Sequence, residues 1–337
     1  MYELIIYIIL CFVLFYLVAK LSYKLNLIDI PNERKLHLKP TAFTGGIAIA
    51  IIILSALQFF EIFNVVDRKL NLILSLATLI SLVGLIDDKY NLNVGGKLGL
   101  QIVPIFYLIA FESFFLNQLG DYNFFQLNLG VFKFPFTLIC VLFLVNAFNY
   151  FDGLDGTLSF ASISVIGILY FLILDSKLNY YLLIILLPLI IFILFNFSFL
   201  KLPKLFLGDS GSLLLGYIIS FTLIHFANLN ITHHILLAWS VSIFVFEFFA
   251  INLIRIKNNK NPFGAGRDHL HHLLLNENKS IFKTNFIICM LNIIFFILGY
   301  LSFKYISSLF SLILFLLLLI IYLFIRNNLL KKLETKI

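Results

Sequence analysis

The chain has 337 residues, of which 61% are hydrophobic and only 12% charged, with a formal net charge of +7. A soluble domain carries about 25% charged residues. Here the apolar residues run in long blocks instead of the narrow faces of soluble helices, so a soluble globular fold is excluded. No shift in composition marks a separate soluble part, and the chain reads as one all-α, polytopic transmembrane domain spanning residues 1–337. Its expected macromolecular surroundings are membrane lipids, with no nucleic acid.

Eleven spans of near the ~20 residues that a bilayer needs are predicted. The first, 3–20, has Glu3 before the apolar run and Lys20 and Lys24 after it, the reverse of a signal peptide, so it reads as a retained helix. It leads into PNERKLHLKPTAFTGG (31–46), whose Arg34, Lys35, His37 and Lys39 suit either positive-inside anchoring or attraction for anionic head groups. Spans 43–60 and 70–86 follow. The latter runs into GLIDDKYNLNVGGKLGLQ (84–101), where Asp87 and Asp88 close a helix. Carboxylates at a helix C-terminus oppose its dipole, so a cation is expected beside them, either Lys89 and Lys97 or a metal.

Spans 98–117 and 134–151 come next. The second ends in NAFNYFDGLDG (146–156), where Asn146, Asn149, Asp152 and Asp155 recur every third residue. Gly153 and Gly156 signal the end of a helix, which puts Asn149 and Asp152 together at its mouth and Asp155 in the following loop. Ionised groups at the end of a spanning helix are costly and mark a site. After spans 157–174 and 180–199, FLGDSGSLLLGY (206–217) opens span 211–228 with Asp209 between two glycines. Asp209 suits an N-cap. It equally suits a carboxylate holding Mg2+ against a phosphate bound at the helix N-terminus. Beyond span 233–254, NPFGAGRDHLHHLLL (261–275) gathers Arg267, Asp268, His269, His271 and His272. No zinc-ligand spacing accompanies them, and recognition of a diphosphate by planar donors fits better. Spans 284–302 and 306–325 complete the set. The three cysteines all sit in apolar blocks and read as core residues.

With the N-terminus outside and the C-terminus in the cytoplasm, 19 of the 24 Lys and Arg residues fall in cytoplasmic loops. The same orientation puts Asp87, Asp88, Asp152, Asp155, Asp209 and the histidines of HLHH on the cytoplasmic face. A secondary transporter, the alternative from another class, would place its acids near mid-membrane and show repeated halves. Neither is visible.

Taken together and in order, PNERKLH, DDKYNLNVGGKL, NAFNYFDGLDG, GDSGS and HLHH resemble the polyprenyl-phosphate N-acetylhexosamine-1-phosphate transferase family. NAFN and PFGAGRDHLHH are closer to its WecA/TagO branch than to MraY. The sequence departs from the family pattern at Ala42, Phe43 and Thr44, before the paired glycines, and at Glu247, where Asp is frequent. The resemblance implies transfer of a sugar-1-phosphate from a UDP-N-acetylhexosamine, UDP-GlcNAc first, to undecaprenyl phosphate in a bacterial inner membrane. UMP is released and a cell-surface glycan is begun. It implies Mg2+ as cofactor, held by Asp209 with help from Asn149. Asp87, Asp88 and Asp152 become catalytic candidates, the first pair for taking a proton from the lipid phosphate or for a further metal contact, and Asp152 for helping Asn149 hold the metal or nucleotide. Asn149, Asp155, Arg267, His269, His271 and His272 become candidates for binding the substrate. The oligomeric state stays open, with a homodimer among the options.

Overall fold

The computed structural model describes residues 2–31, 38–60, 67–173, 175–262, 264, 266 and 268–334. The basic residues Arg34, Lys35 and His37 and the candidate Arg267 lie outside the described residues. Thirteen α-helices are described: α1 (Tyr2–Lys24), α2 (Gly45–Phe59), α3 (Arg68–Tyr90), α4 (Val94–Ala110), α5 (Lys133–Asn149), α6 (Thr157–Leu172), α7 (Ser176–Asn196), α8 (Gly208–Asn228), α9 (His234–Ser240), α10 (Ser242–Lys257), α11 (Leu270–Asn278), α12 (Ile281–Tyr305) and α13 (Ser308–Glu334). Among the described residues, sheet is confined to two short antiparallel pairs, β1 (Ile28–Asp29) with β2 (Thr41–Ala42), and β3 (Gln118–Asp121) with β4 (Gln126–Asn128), besides an isolated bridge between Ala42 and Leu205. Among the described residues, seven helices are long and apolar enough to cross a membrane. The number is eight if α9 and α10, bent by 69° at their junction, count as one. The chain is an all-α, multi-pass membrane protein; α2, α4 and α6 are apolar but shorter.

Two predicted spans differ in form. The segment 233–254 is broken at Val241 instead of continuous. Asn292 of α12 makes the break tenable by serving backbone groups that no longer pair within a helix: its Nδ2 donates to the Ser240 carbonyl at 3.0 Å and its Oδ1 accepts from the Ile243 N–H at 3.3 Å. Breaks at membrane depth are tolerated where the freed groups are met in this way. The segment 98–117 is helical only to Ala110, and Ser113 takes a left-handed conformation (φ 55°) before the chain enters β3.

Helix α8 is the axis of the bundle. Of its most apolar stretch, 94% is buried, against 22% for α1 and α13. Small residues let its neighbours approach, as in other membrane helix pairs. A Cβ added to Gly46 of α2 would fall on the backbone of Ser210 and Gly211, and one added to Gly84 of α3 on the backbone of Asp209 and Ser210. A Cβ on Gly216 would lie 2.7 Å from the Val145 Cα of α5. Three helices therefore meet α8 backbone to backbone, two of them at its N-terminus.

The polar motifs gather at one end of the bundle. The ends of α3, α5 and α7 and the starts of α2, α6 and α8 meet there, and α13 finishes there, with Arg326 bonded to Asp268. The β3–β4 pair belongs to the opposite end, where Ser308 and His233 both bond the Asp121 carbonyl.

Because the contact at Gly84 is with backbone, it cannot be relieved by a rotamer change. Gly84→Ala should cost about 1–3 kcal/mol by overpacking and lower the thermal unfolding midpoint in detergent. Gly99→Ala has nothing within 4 Å of its new Cβ and should leave the midpoint unchanged or raise it. Equal midpoints for the two variants would contradict this packing.

Candidate active site

The site begins with a backbone splice. The Phe206 N–H donates to the Ala42 carbonyl (2.8 Å), and the Gly45 and Gly46 N–H groups donate to the Phe206 and Leu207 carbonyls (both 2.9 Å). This ties the strand before α8 to the start of α2, so Asp209, in the first turn of α8, is carried on fixed backbone. The C-terminus of α3 faces that turn. Asp88 Oδ1 accepts from the Asp209 N–H at 3.1 Å and Oδ2 from the Ser210 N–H at 3.4 Å. Asp88 thus occupies free donors at the N-terminus of α8, where a carboxylate is favoured, and this offsets its unfavourable place at the end of α3.

Asp87 turns the other way. Its Oδ1 accepts from the Leu92 N–H (2.9 Å) and its Oδ2 meets Lys97 Nζ at 2.7 Å. Lys97 also binds Asp209 Oδ2, so one ammonium group bridges carboxylates from α3 and α8. The cation expected beside Asp87 is therefore Lys97. Lys89 instead lies over the ring of Tyr90. The second oxygen of Asp209 is held by Asn149, whose Nδ2 lies 2.8 Å from Asp209 Oδ1 and 2.9 Å from Ser212 Oγ. Asn146, one turn earlier, bonds to Gln101 of α4 and takes no part in the site.

Asp152 and Asp155 stand in the turn between α5 and α6. Asp155 pairs with Lys204 (2.6 Å), and its carbonyl accepts from Asn285 Nδ2 (2.7 Å). The Asp152 carboxylate has no hydrogen bond or ion pair among the described residues. Burial, and then the charges of Asp209 and Asp155, push its pKa up to about 8. A cavity of about 630 Å³ joins these groups, with Asp87, Asp88, Asp152, Asp155, Asp209 and His272 on its wall. That volume suits a nucleotide-sized ligand.

The three HLHH histidines pack against one another, the His271 ring 5.6 Å from His269 and 4.3 Å from His272 between centroids, but each faces a different further neighbour. His272 lies on the cavity wall. His271 is buried behind the Asp-Gly turn, its ring packed where a Cβ on Gly153 would be. His269 stands edge-on to Tyr150, 5.0 Å between ring centroids. Burial lowers the pKa of His269 to about 4 and that of His271 well below the usual value, so both are neutral at pH 7. Next to them Arg255 grips Asp268 with two bonds of 2.7 and 2.8 Å. Burial opposes the charge on Asp268, but this grip outweighs it and lowers its pKa to about 2.

Reasoning from the sequence does not reach the roles of Lys204, Arg255 or Arg326. The available signal is charge close to or inside apolar blocks, which at such depth asks for a partner. In the sequence all three count only as basic residues of cytoplasmic segments.

Residues 70–227 match the family model described as Glycosyl transferase family 4, a stretch that holds Asp87, Asp88, Lys97, Asn149, Asp152, Asp155 and Asp209. The chain is 31% identical over 278 residues to an undecaprenyl-phosphate alpha-N-acetylglucosaminyl 1-phosphate transferase of Yersinia pestis, covering 80% of this chain and 75% of that protein. It is 28% identical over 267 residues to the protein of the same name in Escherichia coli K12, covering 76% and 71%. It is 29% identical over 274 residues to a probable undecaprenyl-phosphate N-acetylglucosaminyl 1-phosphate transferase of Bacillus subtilis, covering 77% and 72%. With its motifs gathered at one end of the bundle and relatives matching over most of both chains, the protein belongs to glycosyl transferase family 4.

Proposed function

We propose that the protein transfers GlcNAc-1-phosphate from UDP-GlcNAc to undecaprenyl phosphate, releasing UMP, at the cytoplasmic face of a bacterial inner membrane. The observation that carries this reading is the acidic cavity, walled by Asp87, Asp88, Asp152, Asp155 and Asp209, with Lys204 paired to Asp155 on its wall and Lys97 bridging Asp87 and Asp209 beside it. The names of the relatives supply the two substrates. The eleven apolar segments and the 19-to-5 split of basic residues support an N-terminus outside and a C-terminus in the cytoplasm.

In the proposed reaction an oxygen of the lipid phosphate attacks the β-phosphorus of the UDP-sugar. The bond from that phosphorus to the bridging oxygen breaks, and UMP leaves with the electron pair. Such a transfer depends on positioning and on neutralising charge. Lys97 places a positive charge beside the Asp209 carboxylate, and Asp88 keeps the α8 N-terminus in place. Asp87 and Asp88, the expected proton acceptors, are both engaged by N–H donors, and Asp87 also by Lys97. Among the described residues the Asp152 carboxylate is not engaged, and it takes that role here. Asp155 with Lys204, and His272 with Arg267, fall to the nucleotide.

The donor set fits Mg2+. Its groups are hard carboxylate oxygens, and no three His, Cys, Asp or Glu side chains converge on one point among the described residues. Mg2+ is commonly held in that manner, by one or two carboxylates plus substrate phosphates and water. Asp209 would hold it, with Asn149 fixing the orientation of that carboxylate. The ion would neutralise charge on the phosphates.

The test is purified protein with undecaprenyl phosphate and a panel of UDP-sugars. UDP-GlcNAc should yield UMP in equal amount to lipid-linked sugar, and sealed vesicles should use external UDP-GlcNAc only when inverted. Release of UDP in place of UMP, or use by right-side-out vesicles alone, would overturn the reading.

Asp152 supplies a pH prediction. A carboxyl with a pKa of about 8 is protonated and neutral below that pH and ionised above it. A proton acceptor must be ionised, so kcat/KM should rise with pH through a limb lying above the usual carboxylate range, the direction in which burial holds Asp152. Asp152→Asn should lower activity and remove that limb. An unchanged limb in this variant would assign the titration to another group.

A further inference from the structure

Glu247 of α10 and Arg326 of α13 form an ion pair that is 1% and 0% exposed, with Arg326 Nε 2.9 Å from Glu247 Oε2 and Nη2 3.0 Å from Oε1. Tyr322 donates a further bond to Oε2 at 2.7 Å. An ion pair so deep is poor evidence of stability by itself, because well-packed apolar side chains often serve equally well. Two further bonds, however, leave the α10–α13 contact and reach the chain ahead of α11. Glu247 Oε1 accepts from the Leu270 N–H at 2.7 Å, and Arg326 Nη2 donates to the Asp268 carbonyl. Leu270 is the first residue of α11, and its N–H is one that a helix cannot satisfy internally. Apolar side chains could pack α10 against α13, but they could not meet these two backbone groups.

Residues 268–270 are therefore held at three points: the Asp268 carboxylate by Arg255, its carbonyl by Arg326, and the Leu270 N–H by Glu247. Two residues later in the same helix comes His272, on the cavity wall. We infer that Glu247 and Arg326 are positioning residues that lock the start of α11 and so set His272 against the cavity for the UDP-sugar. The inference rests on the proposed function of that cavity. It gives α13, which lends no side chain to the cavity wall among the described residues, a part in binding the nucleotide.

The experiment uses the full-length protein in detergent with Glu247 and Arg326 both replaced by Met, which removes the two charges together. The variant should stay folded, with an unfolding midpoint within a few degrees of the unaltered protein. Amide hydrogen exchange at residues 270–273 should quicken. KM for UDP-GlcNAc should rise about tenfold, as expected for a misplaced hydrogen-bonding group, while KM for undecaprenyl phosphate stays within about twofold. Arg326→Lys keeps a charge for Glu247 but loses the planar fork that reaches Asp268. It should show the same split in smaller degree, and it serves as the test if the double variant fails to fold. Unchanged UDP-GlcNAc KM, or parallel rises in both KM values, would overturn the inference. So would unchanged exchange at 270–273. The exchange readout does not depend on the substrate, so failure of the unaltered protein to release UMP would overturn the proposed function and leave the test of the clamp standing.

Discussion

The structure depends on one junction, where the end of α3 meets the start of α8. A helix ending in two carboxylates is unfavourable alone, and so is a helix start with free N–H groups in a membrane-embedded bundle. Each defect is relieved by the other. Asp88 spans the N–H groups of Asp209 and Ser210, while Lys97 lies between Asp87 and Asp209. The approach is possible because Gly84 and Gly46 lack a Cβ where α3 and α2 touch the α8 backbone. Packing and electrostatics are thus the same requirement. A side chain at residue 84 would part the helices and remove the donors from Asp88.

Everything else at that end of the molecule is arranged around the first turn of α8. The splice to α2 fixes its approach, Asn149 of α5 holds the free oxygen of Asp209, and the Asp-Gly turn brings Asp152 and Asp155 alongside. Behind that turn, His271 fills the space left by Gly153, joining the turn to α11, and α11 is tied in turn to α10 and α13. The acids are mostly matched within the protein. Asp87 and Asp209 share Lys97, and Asp155 has Lys204. Of the two carboxylates in the Asp-Gly turn, Asp152 is the one left for substrate, which is why the proposal gives it the proton.

Much of the architecture was legible in the sequence because bilayer-length apolar blocks are a strong and local signal. The convergence of Asp87, Asp88, Asn149, Asp152 and Asp209 was legible as well, since charge at the end of a spanning helix is costly unless a partner or a ligand meets it. What was hidden depends on contacts between distant segments. The break at Val241 carries no Pro or Gly and exists because Asn292, about fifty residues away, meets its backbone. The choice of Lys97 over Lys89 follows from the left-handed turn at Asn91, which brings the start of α4 back over Asp87. His269, His271 and His272 look alike in sequence and their rings pack together, yet a helix starting at Leu270 turns one to Tyr150, one behind Gly153 and one to the cavity wall. Glu247 and Arg326 lie 79 residues apart in two apolar blocks, and neither identifies its partner.

The central claim is that Lys97 and Asp209 act as one unit across the α3–α8 junction. A double-mutant cycle on kcat/KM with Lys97→Met and Asp209→Asn tests it most directly. The account predicts that each substitution alone lowers kcat/KM by about a hundredfold or more in folded protein, and that the pair together is scarcely worse than either alone. Losses that multiply, or near-normal activity in either folded single variant, would contradict it.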